Sequence, residues 1–315
     1  GEGSMKRVFA VSCFALLALS ASGAFAAGLF RAYLSVNGKD VNPCTVQQPC
    51  RLLPAALAAI ADGGEVWMLD SANYNTGTVI VAKSVTILAV PGALGSLVAP
   101  LDADGLAIDG PVNVTLRNLV VRDLSGRGTT TTAIHMLSGL NLRIENCEVY
   151  GPRNGIRIES SGAAATIVNT TIHETIIAVA AHGASSVSID GLSVDNSSVA
   201  IAAFDGARVT ISNSSLTPHT TAIQATAATP GSQTVVNLAR STIASTRSLS
   251  EGFLVSSESG AGVEVFVRSS TIHADTGFVF ANAGGLEKIF SYGDNGLVFY
   301  NAATSGGTLT PISQI

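Results

Sequence analysis

The chain has 315 residues with a formal net charge of −5, and only 12% of its residues are charged. No stretch carries the run of Lys and Arg that would follow a phosphate backbone, so the composition argues against a nucleic-acid-binding protein. Hydrophobic residues make up 47% of the chain, which suits a protein in which every repeat adds an apolar stripe to one core.

The first recognisable pattern is an export signal. We interpret residues 1–4 as the remnant of an expression vector and residues 5–26 as a secretory signal peptide. Lys6 and Arg7 form its basic start, the apolar run behind them is too short to span a membrane, and residues 24–26 read Ala-Phe-Ala, a small-x-small cleavage site. We therefore expect an exported bacterial protein, located in the periplasm, at the cell surface or outside the cell. Once the signal is removed, we expect no transmembrane segment.

Export also decides how the cysteines are interpreted. Cys44 and Cys50 enclose a short loop in what would be an oxidising compartment, so we predict a disulfide between them. The neighbouring sequence offers no further metal ligands, and we expect neither a metal nor a cofactor. Cys147 has no His after it in its own repeat, which favours a small buried thiol over a nucleophile.

Residues 27–64 predict an N-terminal cap that contains the disulfide loop and a short helix. The apolar residues at helical spacing are Leu53, Ala56, Leu57 and Ile60. Pro54 suits the first turn, and the Asp-Gly-Gly sequence at 62–64 is typical of a helix end. Such a helix would cover the open end of the structure that follows, whose strand edges would otherwise pair with another molecule.

Residues 65–300 carry a repeat of 22 or 23 residues. It is clearest at a column formed by Asn146, Asn169, Gly191 and Asn213, with apolar residues at fixed offsets. Ile144, Ile167, Ile189 and Ile211 stand two residues before that column, and Ile156, Val179, Ile201 and Ile223 stand ten after it. A repeat of this length with internal alternation predicts strands wound into a solenoid. We predict an all-β solenoid of about ten turns with three short strands per turn, followed by a tail at 301–315.

The rows of V-x-I-x-N-x-x-I followed by G-I-x-I resemble the right-handed parallel β-helix, the pectate-lyase-like superfold. In that family an Asn ladder lies inside a tight turn, and the resemblance implies such a ladder at Asn118, Asn146, Asn169 and Asn213. The segment from Gly38 to Cys50 resembles the start of exported proteobacterial β-helix repeat proteins, most of which have no assigned activity. The catalytic sets of polygalacturonases and pectate lyases are not recognisable here, so the resemblance leaves open whether the protein is an enzyme.

The outer face of the G-I-x-I strand can be derived from the alternation of side chains along each strand. Two outward columns place His135, Arg157, Glu159, His182 and Phe204 on adjacent turns. In polysaccharide-active β-helix proteins this strand faces the substrate groove, and these side chains could bind or act on a glycan. The alternative is an ordinary surface pair of Arg157 and Glu159 beside solvated imidazoles.

The C-terminal part of the same face becomes apolar. Leu254, Val279 and Val298 fall in one predicted column, with Tyr300 beside them, and such a patch is seldom left in water. Either the tail at 301–315 covers this patch, or it contacts a second copy of the chain or a surface partner.

Two functions from different classes remain. The first is an exported module that binds a polysaccharide or has a structural or interaction role. The alternative is a polysaccharide lyase or glycoside hydrolase acting in a groove on the outer face. An enzyme would need paired carboxylates, or a carboxylate and a cation, within reach of each other in that groove.

Overall fold

The computed structural model describes residues 28–124, 131–245, 247–283 and 286–312. The predicted signal peptide and vector remnant lie outside these residues, as do residues 125–130. Everything described belongs to one parallel β-solenoid with a single short helix, α1 (Leu53–Ala59). The predicted all-β solenoid of about ten turns is confirmed.

Each regular turn contributes one strand to a parallel sheet of twelve. These strands are β1 (Leu29–Leu34), β2 (Ile60–Met68), β5 (Val85–Ala89), β8 (Asn113–Arg117), β11 (Asn141–Glu145), β14 (Ala164–Val168), β17 (Ser186–Asp190), β20 (Arg208–Ser212), β23 (Gln233–Ala239), β26 (Gly262–Arg268), β28 (Leu286–Tyr292) and β30 (Thr310–Ile312). We call this sheet the first sheet.

The other two strands of each turn form two further parallel ladders. The short-strand ladder contains β3 (Ala72–Asn73), β6 (Gly95–Ala99), β9 (Leu119–Asp123), β12 (Glu148–Tyr150), β15 (Thr171–His173), β18 (Ser193–Asp195), β21 (Ser215–Thr217) and β24 (Thr242–Ala244). The site ladder contains β4 (Val79–Val81), β7 (Asp104–Ile108), β10 (Thr132–Met136), β13 (Asn154–Ile158), β16 (Ile177–Ala181), β19 (Val199–Phe204), β22 (Thr221–Ala227) and β25 (Glu251–Ser257). At the C-terminal end, β27 (Thr271–Ala283) and β29 (Gly296–Ser305) are long enough to run through both ladders and join them.

The interior is built from the apolar columns that the repeat predicts. Ile144, Ile167, Ile189 and Ile211 are fully buried, as are Ile156, Val179, Ile201 and Ile223. Their strands pair in register, with Ile167 opposite Ile144 and Ile189 opposite Ile167. Because the inward residues stack on their counterparts one turn away, each repeat completes the core of its neighbour.

The N-terminal cap differs from the prediction at its boundaries. Helix α1 buries Leu53, Ala56 and Leu57 but ends at Ala59, and the residues at 62–64 lie inside β2. The helix stops early because Ile60 already pairs with β1, so the first turn of the solenoid begins within the predicted cap. Lys83 donates hydrogen bonds to the carbonyl oxygens of Leu57 and Ile60, which satisfies acceptors at the helix end.

The predicted disulfide between Cys44 and Cys50 is confirmed. At the other end, the solenoid continues past the predicted boundary at residue 300, since β29 extends to Ser305 and β30 pairs with β28. Much of the predicted tail therefore forms a further turn and does not fold back over the outer face.

The Asn column occupies a tight turn, but its side chains do not lie inside the coil. Asn118, Asn146, Asn169, Gly191, Asn213, Arg240 and Ser269 all have φ between 46° and 69°. Asn146, Asn169 and Asn213 are exposed and Asn118 is half-buried, so the predicted inward position of the Asn ladder is wrong. Asn118 Nδ2 does donate to the carbonyl oxygen of Ala89 on the neighbouring turn, at 3.1 Å. Asn recurs here because it tolerates the left-handed backbone conformation better than most residues.

The interior ladder is formed by the next position in the repeat. The backbone N–H groups of Ser214 and Ser241 donate to the hydroxyl oxygens of Ser241 and Ser270, at 3.1 and 3.2 Å. Ser270 N–H donates in turn to Asn295 Oδ1 at 3.0 Å. Each side chain thus satisfies a buried donor of the turn before it, which is the role that the resemblance had assigned to the Asn column.

Candidate functional site

The site ladder brings the predicted polar residues together. His135 on β10 lies directly opposite Arg157 on β13, and Arg157 lies opposite Ala180 on β16. Glu159 and His182 directly follow β13 and β16, and Phe204 is the last residue of β19. The predicted register of both outward columns therefore holds over these turns.

His135 lies between two carboxylates. Its Nδ1 is 2.9 Å from Asp104 Oδ2, and its Nε2 is 3.1 Å from Glu159 Oε2. Burial disfavours the charged ring, but the hydrogen bonds and negative charges of Asp104 and Glu159 outweigh burial and raise the pKa of His135. The protonated ring can donate a hydrogen bond to each carboxylate.

Glu159 also forms an ion pair with Arg157. Burial of the Glu159 carboxyl is outweighed by the charges of Arg157 and His135, which lower its pKa. Within the described part of the chain, the Nε of Arg157 is buried without a hydrogen-bond partner. When His135 is protonated, the carboxylates of Asp104 and Glu159 face the cations of His135 and Arg157, so the net charge of these four side chains is close to zero.

His182 behaves differently from His135. Its ring stacks on Phe204, with the ring centroids 4.6 Å apart and the planes at 23°. Burial and the positive charge of Arg157 lower the pKa of His182. The two imidazoles therefore differ: the pKa of His135 is raised and that of His182 is lowered, so His135 gains its charge at a higher pH than His182.

A shallow depression adjoins this group. It is lined by Thr78, Asp102, Ala103, Asp104, Thr132, His135 and Arg157. Sequence reasoning missed Asp104, because it stands three residues before the outward column of Ala107 and reaches His135 only through the direction of its side chain. The signal that could have found Asp104 is its register, because it pairs with Thr132 on β10, the same strand that carries His135.

Residues 104–295 match the family described as "Right handed beta helix region". The chain belongs to this right-handed β-helix family. No curated protein matches the sequence at a significant level.

Solved structures share the architecture of this β-helix at low sequence identity. A pectate lyase, Pel9A, is 15% identical over 88% of this chain and 80% of its own, with a TM-score of 0.61. A rhamnogalacturonan lyase is 14% identical over 84% of this chain and 74% of its own, with a TM-score of 0.47. A GH136 lacto-N-biosidase from Eubacterium ramulus is 12% identical over 90% of this chain and 68% of its own, with a TM-score of 0.46. The similarity to the pectate lyase, at 15% identity, shows a shared fold alone.

The predicted apolar column at the C-terminal end of this β-helix is wrong in part. Leu254 lies opposite Val279, as expected, but Val279 lies opposite Ser305. Val298 instead lies opposite His273, on the continuation of the short-strand ladder. Val298 and Tyr300 are 43% and 65% exposed, so they form a patch separate from Leu254 and Val279. The change arises because β27 and β29 run through the bend that separates the two ladders elsewhere.

The short-strand ladder carries a second polar group that the sequence analysis missed. His173 Nδ1 is 2.7 Å from Asp195 Oδ1, and the rings of Tyr150 and His173 are 6.1 Å apart. The Arg122 guanidinium lies over the Tyr150 ring at 5.3 Å. A hydrogen bond with Glu174 raises the pKa of Tyr150. His173 and Asp195 come together because they occupy directly opposite positions on neighbouring turns.

Cys147 is free and buried, as predicted. Burial raises the pKa of its thiol to about 11, which leaves it protonated at neutral pH. Among the described residues, no group of three or more His, Cys, Asp or Glu side chains is placed to hold a metal ion. In the same part of the chain, no helix is long and apolar enough to cross a membrane.

Proposed function

We propose that this β-helix is an exported protein that binds a polysaccharide along the outer face of the site ladder. The observation that carries the proposal is the row of Asp104, His135, Arg157, Glu159 and the stacked pair of His182 and Phe204 on successive turns. Turns of a parallel sheet repeat about every 4.8 Å. A chain of sugars lying along the solenoid axis would therefore meet polar groups first and an aromatic ring at the far end.

The chemistry of the row suits hydroxyl-rich ligands. The carboxylates and the guanidinium hold one another in place, so their remaining hydrogen-bonding capacity is already oriented before a ligand arrives. Arg157 presents a planar fork to a carboxylate or a pair of hydroxyls, and Phe204 offers an apolar edge or face to a sugar ring. Pectate is a suitable first ligand, because the similar structure with a TM-score of 0.61 is a pectate lyase.

Export is the second part of the proposal. It rests on the predicted signal peptide at residues 5–26 and on the disulfide between Cys44 and Cys50, since structural disulfides form mainly in oxidising compartments. Fractionation of bacteria that express the full chain should recover a shortened protein outside the cytoplasm. Recovery of an uncleaved protein in the cytoplasm would contradict this part alone.

Binding is tested with a glycan array and isothermal titration of pectate fragments. The wild type should bind, and the double variant Arg157→Ala, Phe204→Ala should bind at least about tenfold more weakly. Gln224→Ala is the matched control, because Gln224 lies on the same outward column beyond the row. Equal binding by the wild type and the double variant, or no glycan bound at all, would contradict the proposal.

A second function, cleavage of the bound polysaccharide, is favoured by one observation. The Glu159 carboxyl, whose pKa is lowered, lies 3.1 Å from the His135 ring, whose pKa is raised, and such a pair can supply a proton acceptor beside a proton donor on the outer face. The test is incubation of pectate with the protein, followed by assays for new reducing ends and for unsaturated uronic acid. An enzyme should lose activity in Glu159→Gln and His135→Gln but keep it in Gln224→Ala, whereas a binding protein releases no product.

A further inference from the structure

A second depression lies on the outer face of the first sheet, where no predicted residue stands. It has a volume of about 350 Å³ and is lined by Thr210, Asn237, Leu238, Ala239, Phe266, Arg268 and Tyr292. Ligand pockets span about 300–1,000 Å³, so this one matches a ligand of one or two rings. We call it the Phe266 depression.

Its shape follows from the order of side chains along the first sheet. Asn237 lies opposite Phe266, and Ala239 lies opposite Arg268. Ala239 is 7% exposed and contributes only a methyl group, whereas the next turns carry the long side chains of Arg268 and Tyr292 at corresponding positions. The small residue therefore forms the floor, and the larger side chains form the rim.

The ring of Phe266, which borders the depression, is held in place by the ring of Phe290. The rings of Phe266 and Phe290 are stacked, with centroids 4.8 Å apart and planes at 15°. Phe290 covers one face of Phe266 and is absent from the lining of the depression, so the uncovered side of Phe266 borders it. An aromatic ring fixed in this way offers an apolar platform at little entropic cost.

The polar side chains of the depression make few interactions with the rest of the protein. Within the described residues, no hydrogen bond is found for the side chains of Thr210, Asn237 and Tyr292, and the Arg268 guanidinium makes neither a hydrogen bond nor an ion pair within 4 Å. Its charge acts only at longer range on Asp294, whose pKa is lowered mainly by hydrogen bonds from Ser269. The row at His135 differs in this respect, because its charged groups bind one another. Hydroxyl, amide and guanidinium groups beside an aromatic platform are the groups that bind the hydroxyls and one apolar face of a sugar.

We propose that the Phe266 depression is a second saccharide-binding site, which takes one pyranose unit against Phe266 and prefers a uronic acid. Arg268 supplies the preference, because a guanidinium binds a carboxylate with two parallel hydrogen bonds. Asn237 and Tyr292 provide hydrogen bonds to ring hydroxyls. This site does not depend on the proposed binding along the site ladder, because it lies on a different sheet and shares no residue with it.

The test uses two sugars that differ in one group, methyl β-glucuronide and methyl β-glucoside. Each is titrated into the isotope-labelled full chain, and amide chemical shifts near Asn237, Phe266 and Tyr292 are followed. We expect saturable shifts at these amides, with the glucuronide bound about tenfold more tightly than the glucoside. Arg268→Ala should make the two affinities equal, and Phe266→Ala should weaken both about tenfold.

Controls separate this site from folding defects and from the site ladder. Ala239→Gln fills the floor with a side chain of a size that neighbouring turns accommodate, and it should abolish the shifts while the fold is kept. Thr166→Ala, in the same outward column of the first sheet, should change nothing. The double variant Arg157→Ala, Phe204→Ala changes only the site ladder, so the sugars should still shift the amides around Phe266 in it. Absence of shifts around Phe266 in the wild type, or unchanged affinity in Ala239→Gln, would overturn it.

Discussion

The two outer faces of this β-helix use polar side chains in opposite ways. On the site ladder, Asp104, His135, Glu159 and Arg157 are partners of one another. In the Phe266 depression, the polar side chains make no hydrogen bond or close ion pair in the described structure, and they surround an aromatic ring. The first arrangement is fixed before a ligand arrives and contributes to folding, whereas the second is available only for a ligand. Stability measurements can therefore distinguish the two faces without any ligand.

The largest expected difference in stability is between His135→Ala and Asn237→Ala. The His135 side chain is 11% exposed, and its removal leaves two carboxylates near each other without the ring that joins them. The free energy of unfolding should fall by about 1–3 kcal/mol. Asn237→Ala removes an unpartnered group and should change stability by less than about 0.5 kcal/mol. Urea unfolding at pH 6 measures both, and equal losses would mean that the site ladder is not internally paired.

The pH dependence of stability should have opposite signs at two histidines on the same face. Because folding raises the pKa of His135, its contribution is complete below the unfolded pKa of about 6.5 and is lost as the pH rises through the folded pKa. Folding lowers the pKa of His182, so its contribution is present above about 6.5 and is lost as the pH falls through the folded pKa.

Unfolding experiments at pH 5.5 and 8.5 compare His135→Gln and His182→Gln with the wild type. His135→Gln should be more harmful at pH 5.5, and His182→Gln should be more harmful at pH 8.5. The same pH trend in both variants would contradict a raised pKa at His135 beside a lowered pKa at His182.

The smallest expected difference is between Arg157→Lys and Arg268→Lys. Arg157 is engaged with Glu159 at a partly exposed position, so the loss of its planar fork should cost about 0.5 kcal/mol. Arg268 makes no ion pair within 4 Å among the described residues, and Lys keeps the positive charge that acts on Asp294, so this replacement should leave the unfolding midpoint unchanged. If Arg268→Lys proves the more destabilising change, Arg268 is held by the protein and not reserved for a ligand.

The central turns could be predicted from the sequence because their period is regular. The spacing of 22 or 23 residues fixes which side chains stack, and the pairing of His135 with Arg157 follows from counting alone. At the C-terminal end, the repeat spacing no longer predicts which residues lie opposite each other. There β27 pairs with both ladders and its register shifts between Ala274 and Thr276, so Val298 falls opposite His273 and not Val279.

Side-chain direction was the other limit of the sequence analysis. An Asn column is compatible with an inward ladder and with an outward left-handed turn, and only the backbone geometry distinguishes the two. The Asp104 side chain contacts His135 on the neighbouring strand, and the alternation of side chains along a strand does not predict such a contact. The Phe266 depression depends on the small size of Ala239 beside larger neighbours, and the repeat pattern gave no reason to single out that position.

The most direct test of the central claim is a crystal structure of the protein with the glycan that binds best in the array. The account predicts sugar units that follow the solenoid axis across His135 and Arg157 and end against Phe204. Sugars bound on another face, or lying across the turns of the site ladder instead of along them, would contradict it.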